Sequence, residues 1–153
     1  MYMNTTQNKK IHINKTRKMR PKNIIVGKIY ANWCGYCNLL KPEWKKMKKN
    51  MKLKIKSLPN IHFSFIEIEQ TGQDEKIDKI NRMYLENSDD KVSLQDGYPT
   101  LFRIEDGKLE YYSGKRIASD MEKFYLNGGT NIYEGGKKSR KRKSKGFLSF
   151  FGL

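Results

Sequence analysis

An apolar run of strand length, Asn23-Ile-Ile-Val-Gly-Lys-Ile-Tyr30, leads through Ala31-Asn-Trp33 straight into Cys34-Gly-Tyr-Cys37. No other feature constrains the fold as strongly. An unbroken β-branched run reads as a buried strand. A helix is expected to open at the cysteines, because Leu39, Leu40, Trp44, Met47, Met51 and Leu53 recur at roughly helical spacing with lysines filling most of the gaps. Pro42 would kink that helix unless it falls in the first turn or two. The unpaired N–H groups of a first turn, together with the helix dipole, stabilise an anion. A thiol placed there ionises more readily: free cysteine titrates near about 8.5, and C-x-x-C thiols at helix starts fall to roughly 3.5–7.5. These two cysteines are the whole cysteine content of the chain. Cys34 is therefore expected to be an exposed nucleophile and Cys37, a turn later, the thiol that resolves a mixed disulfide.

The rest of the chain alternates between strand and helix patterns. Ile61–Glu69 alternates as a half-buried strand should, and Gln73 to about Glu86 places Ile77, Ile80, Met83 and Tyr84 on one helical face. Pro99–Glu105, the turn Asp106-Gly107 and Leu109–Tyr112 form a hairpin. Ser119-Asp-Met-Glu122 has the pattern of a capping box, opening a short helix that stops at Gly128-Gly129. The order β-α-β-α-β-β-α requires a right-handed crossover between the first two strands, which makes them parallel, while the hairpin is antiparallel.

Charge divides the 153 residues into three parts. Residues 1–22 hold seven Lys/Arg and no acid, and residues 137–145 hold seven more, again with no acid. The stretch 23–136 keeps 18 bases and all 16 acids, so the formal charge of +16 sits mainly on the two ends. Mean hydropathy is low, at -0.84. The expected division is a basic arm over 1–21, a folded domain over 22–127, and a Gly-rich, polybasic, aromatic-ended tail over 128–153. Like charges in blocks repel and stay solvated. Residues 9–22 and 137–153 are candidate contacts for nucleic acid or an anionic membrane surface, with disorder as the simplest description of the tail. The lysine-rich segment after Cys37 is either a solvated helix face or a continuation of that cationic surface. The first 22 residues lack an apolar run of signal-peptide length, and no stretch approaches the roughly 18 apolar residues of a spanning helix. The reducing cytosol is the expected compartment, with nucleus, membrane surface and virion left open. There a close cysteine pair is more often catalytic or metal-binding than structural.

Three segments together resemble the thioredoxin superfamily, and within it the catalytic domains of protein disulfide isomerases, over about residues 22–127. They are Tyr30-Ala-Asn-Trp-Cys-Gly-Tyr-Cys-Asn-Leu-Leu-Lys-Pro-Glu43, Gly97-Tyr-Pro-Thr-Leu101, and Asp106-Gly-Lys108 with Tyr112-Ser-Gly-Lys-Arg116. The resemblance implies an α/β thioredoxin fold, with a central mixed sheet of about four strands and flanking helices. It implies thiol–disulfide exchange with protein thiols and disulfides, no cofactor beyond the redox pair Cys34–Cys37, and a cis Pro99 facing that pair. Trp33, Gly35, Tyr36, Tyr98 and Pro99 would then frame the substrate, with the backbone at Tyr98 pairing with an extended chain. Arg116 matches an arginine that tunes thiolate stability; a solvated loop charge is the plainer reading. The chain departs from the family at Lys28, where a buried Asp or Glu assists proton transfer from the second cysteine. A desolvated neutral lysine can accept a proton and a charged one stabilises a thiolate, or Lys28 simply snorkels to the surface. Family domains also begin with an extra strand and helix, for which only Ile11-His-Ile13 offers an edge strand, so a trimmed domain is expected. The Lys/Asn/Ile-rich composition suits an AT-rich genome, such as that of a large DNA virus or a protist.

Other chemistries fit less well. A zinc site needs about four ligands, and the candidates Cys34, Cys37, His12 and His62 match no usual finger spacing, so no metal is expected. Covalent haem needs histidine where Asn38 stands. Trp33 and Trp44 read as packing residues more than ligand contacts, with Trp33, next to the nucleophile, expected to shield one side of it. A redox-inert binding or packaging protein, with the fold as spacer between cationic arms, is the reading from another class; the cysteine pair and Pro99 speak against it.

Overall fold

The computed structural model describes residues 20–129. Their elements run β1 (Lys22–Tyr30), α1 (Gly35–Ile55), β2 (Ile61–Glu69), α2 (Gln73–Tyr84), β3 (Thr100–Glu105), β4 (Lys108–Tyr111) and α3 (Ala118–Asn127). They form one four-stranded mixed sheet of order β2-β1-β3-β4, with β1 parallel to β2 and antiparallel to β3. This is a thioredoxin fold. Residues 1–19 of the expected basic arm, with the expected edge strand at Ile11–Ile13 and the expected trimming of the domain's front, and the tail beyond residue 129 lie outside the described residues.

β1 has a strand on each side and helices on both faces, which is why its apolar run is continuous. Ile24 and Val26 point to one face, where Leu40, Trp44, Met47 and Met51 of α1 meet Met121, Phe124 and Tyr125 of α3. Ile25 and Ile29 point to the other, packed with Ile77 and Ile80 of α2 and with Phe102 and Ile104 of β3. Gly27 lies opposite Phe102 in the β1–β3 register, and a Cβ there would fall 2.1 Å from the Phe102 ring. The missing side chain lets the ring lie across the strand.

The helices differ from expectation in three ways. Leu39 and Leu53 are exposed, as is Met83 of α2, because the buried stripe of α1 follows Cys37, Leu40, Trp44, Met47 and Met51 at three- and four-residue steps. Pro42 falls beyond the second turn, yet α1 runs on to Ile55. Both Pro42 and Asn38, whose carbonyl would have accepted the missing N–H, are on the exposed face. The expected capping box does not form. The N-cap of α3 is Ile117, and the first helical N–H, from Ala118, is accepted at 2.7 Å by the Glu43 carboxylate of α1. Glu122 instead accepts from Asn50 at 2.6 Å and Lys54 at 2.5 Å. The turn Asp106-Gly107 has φ of 49° and 78°, the paired positive values of a two-residue hairpin loop. Among the described residues, no helix is long and apolar enough to cross a membrane.

Candidate functional site

The chain leaves β1 at Tyr30, turns through Asn32 and Trp33, and enters α1 with Cys34 as N-cap. The Cys34 N–H donates to the Ala31 carbonyl at 3.2 Å, which closes the turn. The Cys34 sulfur accepts the Cys37 N–H at 3.2 Å, taking up one of the unpaired donors of the first turn. Its own S–H reaches the Tyr98 carbonyl at 3.5 Å. Cys37 lies one turn in, packed with Ala31, Cys34, Tyr30 and Tyr98. Both sulfurs are free thiols.

Exposure does not separate the two cysteines. Cys34, expected to be exposed, is only 5 % accessible and Cys37 is 4 % accessible. The Tyr98 carbonyl covers the Cys34 sulfur, and the capping geometry turns that sulfur back onto the helix. Burial pushes the Cys37 thiol up to about 11, and a hydrogen bond with Cys34 adds to the rise. An Ala31 backbone hydrogen bond and the Lys28 charge pull the other way.

The Tyr98–Pro99 peptide bond is cis. Tyr98, Pro99 and Arg116 line one groove of about 210 Å³, together with Gly97, Thr100 and Tyr112. Arg116 thus lies beside the proline loop with its side chain in solvent. Trp33 is not a packing residue as expected but is 71 % exposed, because the turn after β1 throws it outward. Its indole N–H is held by Gln70 at 2.6 Å, and its ring meets Tyr98 edge-on at 5.9 Å. Tyr98 in turn donates its hydroxyl to Gln73 at 2.7 Å. Gly35 and Tyr36 form the outer side of the first helical turn, where a side chain at Gly35 would meet nothing within 4 Å. Trp44, by contrast, is buried as expected.

Lys28 does not snorkel to the surface. It is buried, with its ammonium 2.9 Å from Glu67 of β2, its partner in the parallel register. The rings of Tyr30 and Trp44 lie 4.5 Å and 4.9 Å from the same nitrogen. Glu67 also accepts from Lys48 and from the Trp44 indole, the latter at 2.9 Å. Burial works to raise the Glu67 pKa, but hydrogen bonds from Lys48, Trp44 and Lys28 together hold it at about 2. Sequence reading missed Glu67, Gln70 and Gln73. Pairing the Lys28 strand with the alternating Ile61–Glu69 strand was the available signal for Glu67. Among the described residues, no three His, Cys, Asp or Glu side chains gather to hold a metal ion.

A family model described as Thioredoxin matches residues 4–127, most of the chain. The protein belongs to the thioredoxin family. A protein disulfide-isomerase of Medicago sativa is 33% identical over 104 residues, 67% of this chain and 16% of that protein. A thioredoxin domain-containing protein of Acanthamoeba polyphaga mimivirus is 32% identical over 96 residues, 62% of this chain and 24% of its own length. The first thioredoxin domain of mouse protein disulfide-isomerase A4 superposes with a TM-score of 0.48 at 20% identity, covering 75% of this chain and 69% of that one. The thioredoxin-family match begins at residue 4, inside the stretch read from sequence as an arm. The chain spans about a fifth of the length of the curated relatives it matches.

Proposed function

We propose that this thioredoxin-family chain is a thiol–disulfide oxidoreductase that exchanges disulfides with protein substrates through Cys34 and Cys37. The observation that carries the reading is the placement of two free thiols at one helix N-terminus, where the Cys34 sulfur accepts the Cys37 backbone N–H. The Cys37 N–H and the positive end of α1 favour negative charge on the Cys34 sulfur. Cys34 thiolate attacks one sulfur of a substrate disulfide, and the other substrate sulfur leaves as thiolate. Cys37 then attacks the Cys34 sulfur, which closes the Cys34–Cys37 disulfide and releases the second substrate thiolate. Two electrons pass to the substrate, and the same steps run backward oxidise it. The sulfurs carry the electron pair themselves, so the reaction calls for no bound cofactor.

In this reading the substrate chain would lie along the groove of Tyr98, Pro99 and Arg116, beside the exposed Trp33 ring that meets Tyr98. Arg116 supplies positive charge on the groove side. The relatives named protein disulfide-isomerase support the same reaction class.

The test is turnover of a protein disulfide by the full chain with a thiol reductant. Wild type accelerates reduction, Cys34→Ser abolishes it, and Arg116→Ala slows it without changing the fold. Full activity in both single cysteine variants would overturn the reading.

A further inference from the structure

α1 carries its positive charge on one side. Lys41, Lys45, Lys48, Lys49, Lys52 and its C-cap Lys56 share an arc of about 100° around the helix axis. All but Lys48 are exposed. At 1.5 Å per residue the ridge runs about 22 Å from Lys41 to Lys56. The acids within reach are already engaged. Glu43, the single acid of α1, accepts the Ala118 N–H at 2.7 Å. Glu67 accepts from Lys28 at 2.9 Å, from the Trp44 indole at 2.9 Å and from Lys48. Glu122 is taken by Asn50 and Lys54. Among the described residues, Lys41, Lys45, Lys49, Lys52 and Lys56 are left with no carboxylate partner.

The near end of the ridge lies beside the thiols. Its first three lysines line a cavity of about 360 Å³ with Asn32, Tyr30 and Trp44, and the remaining lining is the Lys28–Glu67 pair. That lining sets four lysines against one acid. Asn32 is two residues before Cys34, which limits their Cα separation to about 7 Å. Lys41 is four residues after Cys37 on the same side of the helix, about 6 Å along its axis.

An acidic occupant is what such a ridge accepts, and this chain does not supply one. Residues 1–22 and 137–145 hold seven Lys/Arg each and no acid. A second copy, at a formal charge of +16, is repelled. An extended polypeptide repeats its same-side residues about every 6.6 Å, close to the roughly 4.5–6 Å rise of the three- and four-residue steps of the ridge. About seven extended residues match its length. A nucleic-acid strand matches the charge but brings no disulfide to the cysteines at the end of the ridge.

We propose that this face of α1 docks an acidic segment of the protein substrate, so that the protein selects disulfides whose cysteine lies next to clustered Asp and Glu. The inference rests on the exchange reaction above. Carboxylates near the substrate cysteine enter the cavity against Lys41 and Lys45, and those further off lie on Lys49, Lys52 and Lys56. Exposed pairs of this kind each contribute little, so the selectivity is their sum and salt screens it.

The experiment uses full-length protein and two fluorogenic disulfide peptides of equal length. One carries a run of Asp and Glu beside its cysteine, and the other carries Asn and Gln in their place. At about 10 mM salt, where screening is weak, wild type shows a kcat/KM at least about fivefold higher for the acidic peptide, through a lower KM. The ratio falls toward one at about 0.5 M salt. Lys41→Gln, Lys45→Gln and Lys52→Gln combined bring the low-salt ratio below about twofold. Lys76→Gln, Lys79→Gln and Lys123→Gln combined remove the same charge from exposed positions on α2 and α3 and keep the ratio. A wild-type ratio near one, or equal losses in the two triple variants, overturns the proposal. Tighter binding of an oligothymidylate of equal charge, lost in the α1 variant alone, marks a nucleic-acid surface and overturns it too. If neither peptide is turned over, the oxidoreductase reading fails. Fluorescence anisotropy of cysteine-free versions of both peptides, on wild type and the two triple variants, then decides the docking by the same ratios.

Discussion

Gly27→Ala tests the packing that holds the site's two strands together. The added methyl would lie 2.1, 2.3 and 2.4 Å from three carbons of the Phe102 ring. Carbon atoms in contact normally sit about 3.5–4.0 Å apart, so the ring must retreat by well over an ångström. It has nowhere to go, being fully buried among Ile25, Ile29, Ile104 and the α2 isoleucines. Overpacking of this kind costs about 1–3 kcal/mol. Alanine returns roughly 0.4–1 kcal/mol by stiffening the unfolded chain, which leaves a net loss of about 1–2 kcal/mol. With a urea slope of about 1–3 kcal/mol/M for a domain this size, the midpoint falls by roughly 1 M. Phe102→Leu destabilises on its own by leaving a cavity, but combined with Gly27→Ala it removes the clash. The double-mutant cycle should therefore show a favourable coupling of at least about 1 kcal/mol. Strict additivity would refute the claim that glycine is needed because the ring crosses it.

Two further consequences concern charge. Glu43→Ala removes the acceptor for the first N–H of α3 and should cost about 1 kcal/mol, in the range of lost helix caps, whereas Glu43→Gln keeps an acceptor and should cost less; thermal unfolding of both variants checks this. Glu67, held near 2 in the folded protein against an ordinary 4.5, binds its proton less readily folded than unfolded. Its contribution is therefore complete above pH 4.5 and is lost as pH falls toward 2. Urea midpoints should decline more steeply across that window in wild type than in Glu67→Gln, and equal slopes would count against the ion pair.

What the sequence made legible was local. The β1 run announced a strand buried on both faces, and the cysteines marked the strand–helix junction because helix starts bind negative charge. Asp106-Gly107 specified its hairpin, since both residues adopt left-handed φ. What stayed hidden depended on tertiary neighbours. Ser119 and Glu122 have capping-box spacing, but Glu43 reaches α3 from α1, 75 residues away in sequence, and takes the N–H first. Lys28 gave three readings because only the β1–β2 register brings Glu67 beside it. The burial of Cys34 follows from Tyr98, whose carbonyl lies over the sulfur from a loop 64 residues further on. The packing reading of Trp33 rested on what tryptophan usually does, and no local signal marks a turn that points it outward.

The central claim is that Cys34 attacks and Cys37 resolves. Full-length Cys37→Ser, mixed at neutral pH with a protein disulfide and then alkylated, should accumulate a mixed disulfide that mass spectrometry assigns to Cys34 and that excess thiol releases. Cys34→Ser treated alike should accumulate none. A bridge through Cys37 in Cys34→Ser as abundant as that through Cys34, or no bridge in either variant, would contradict the account.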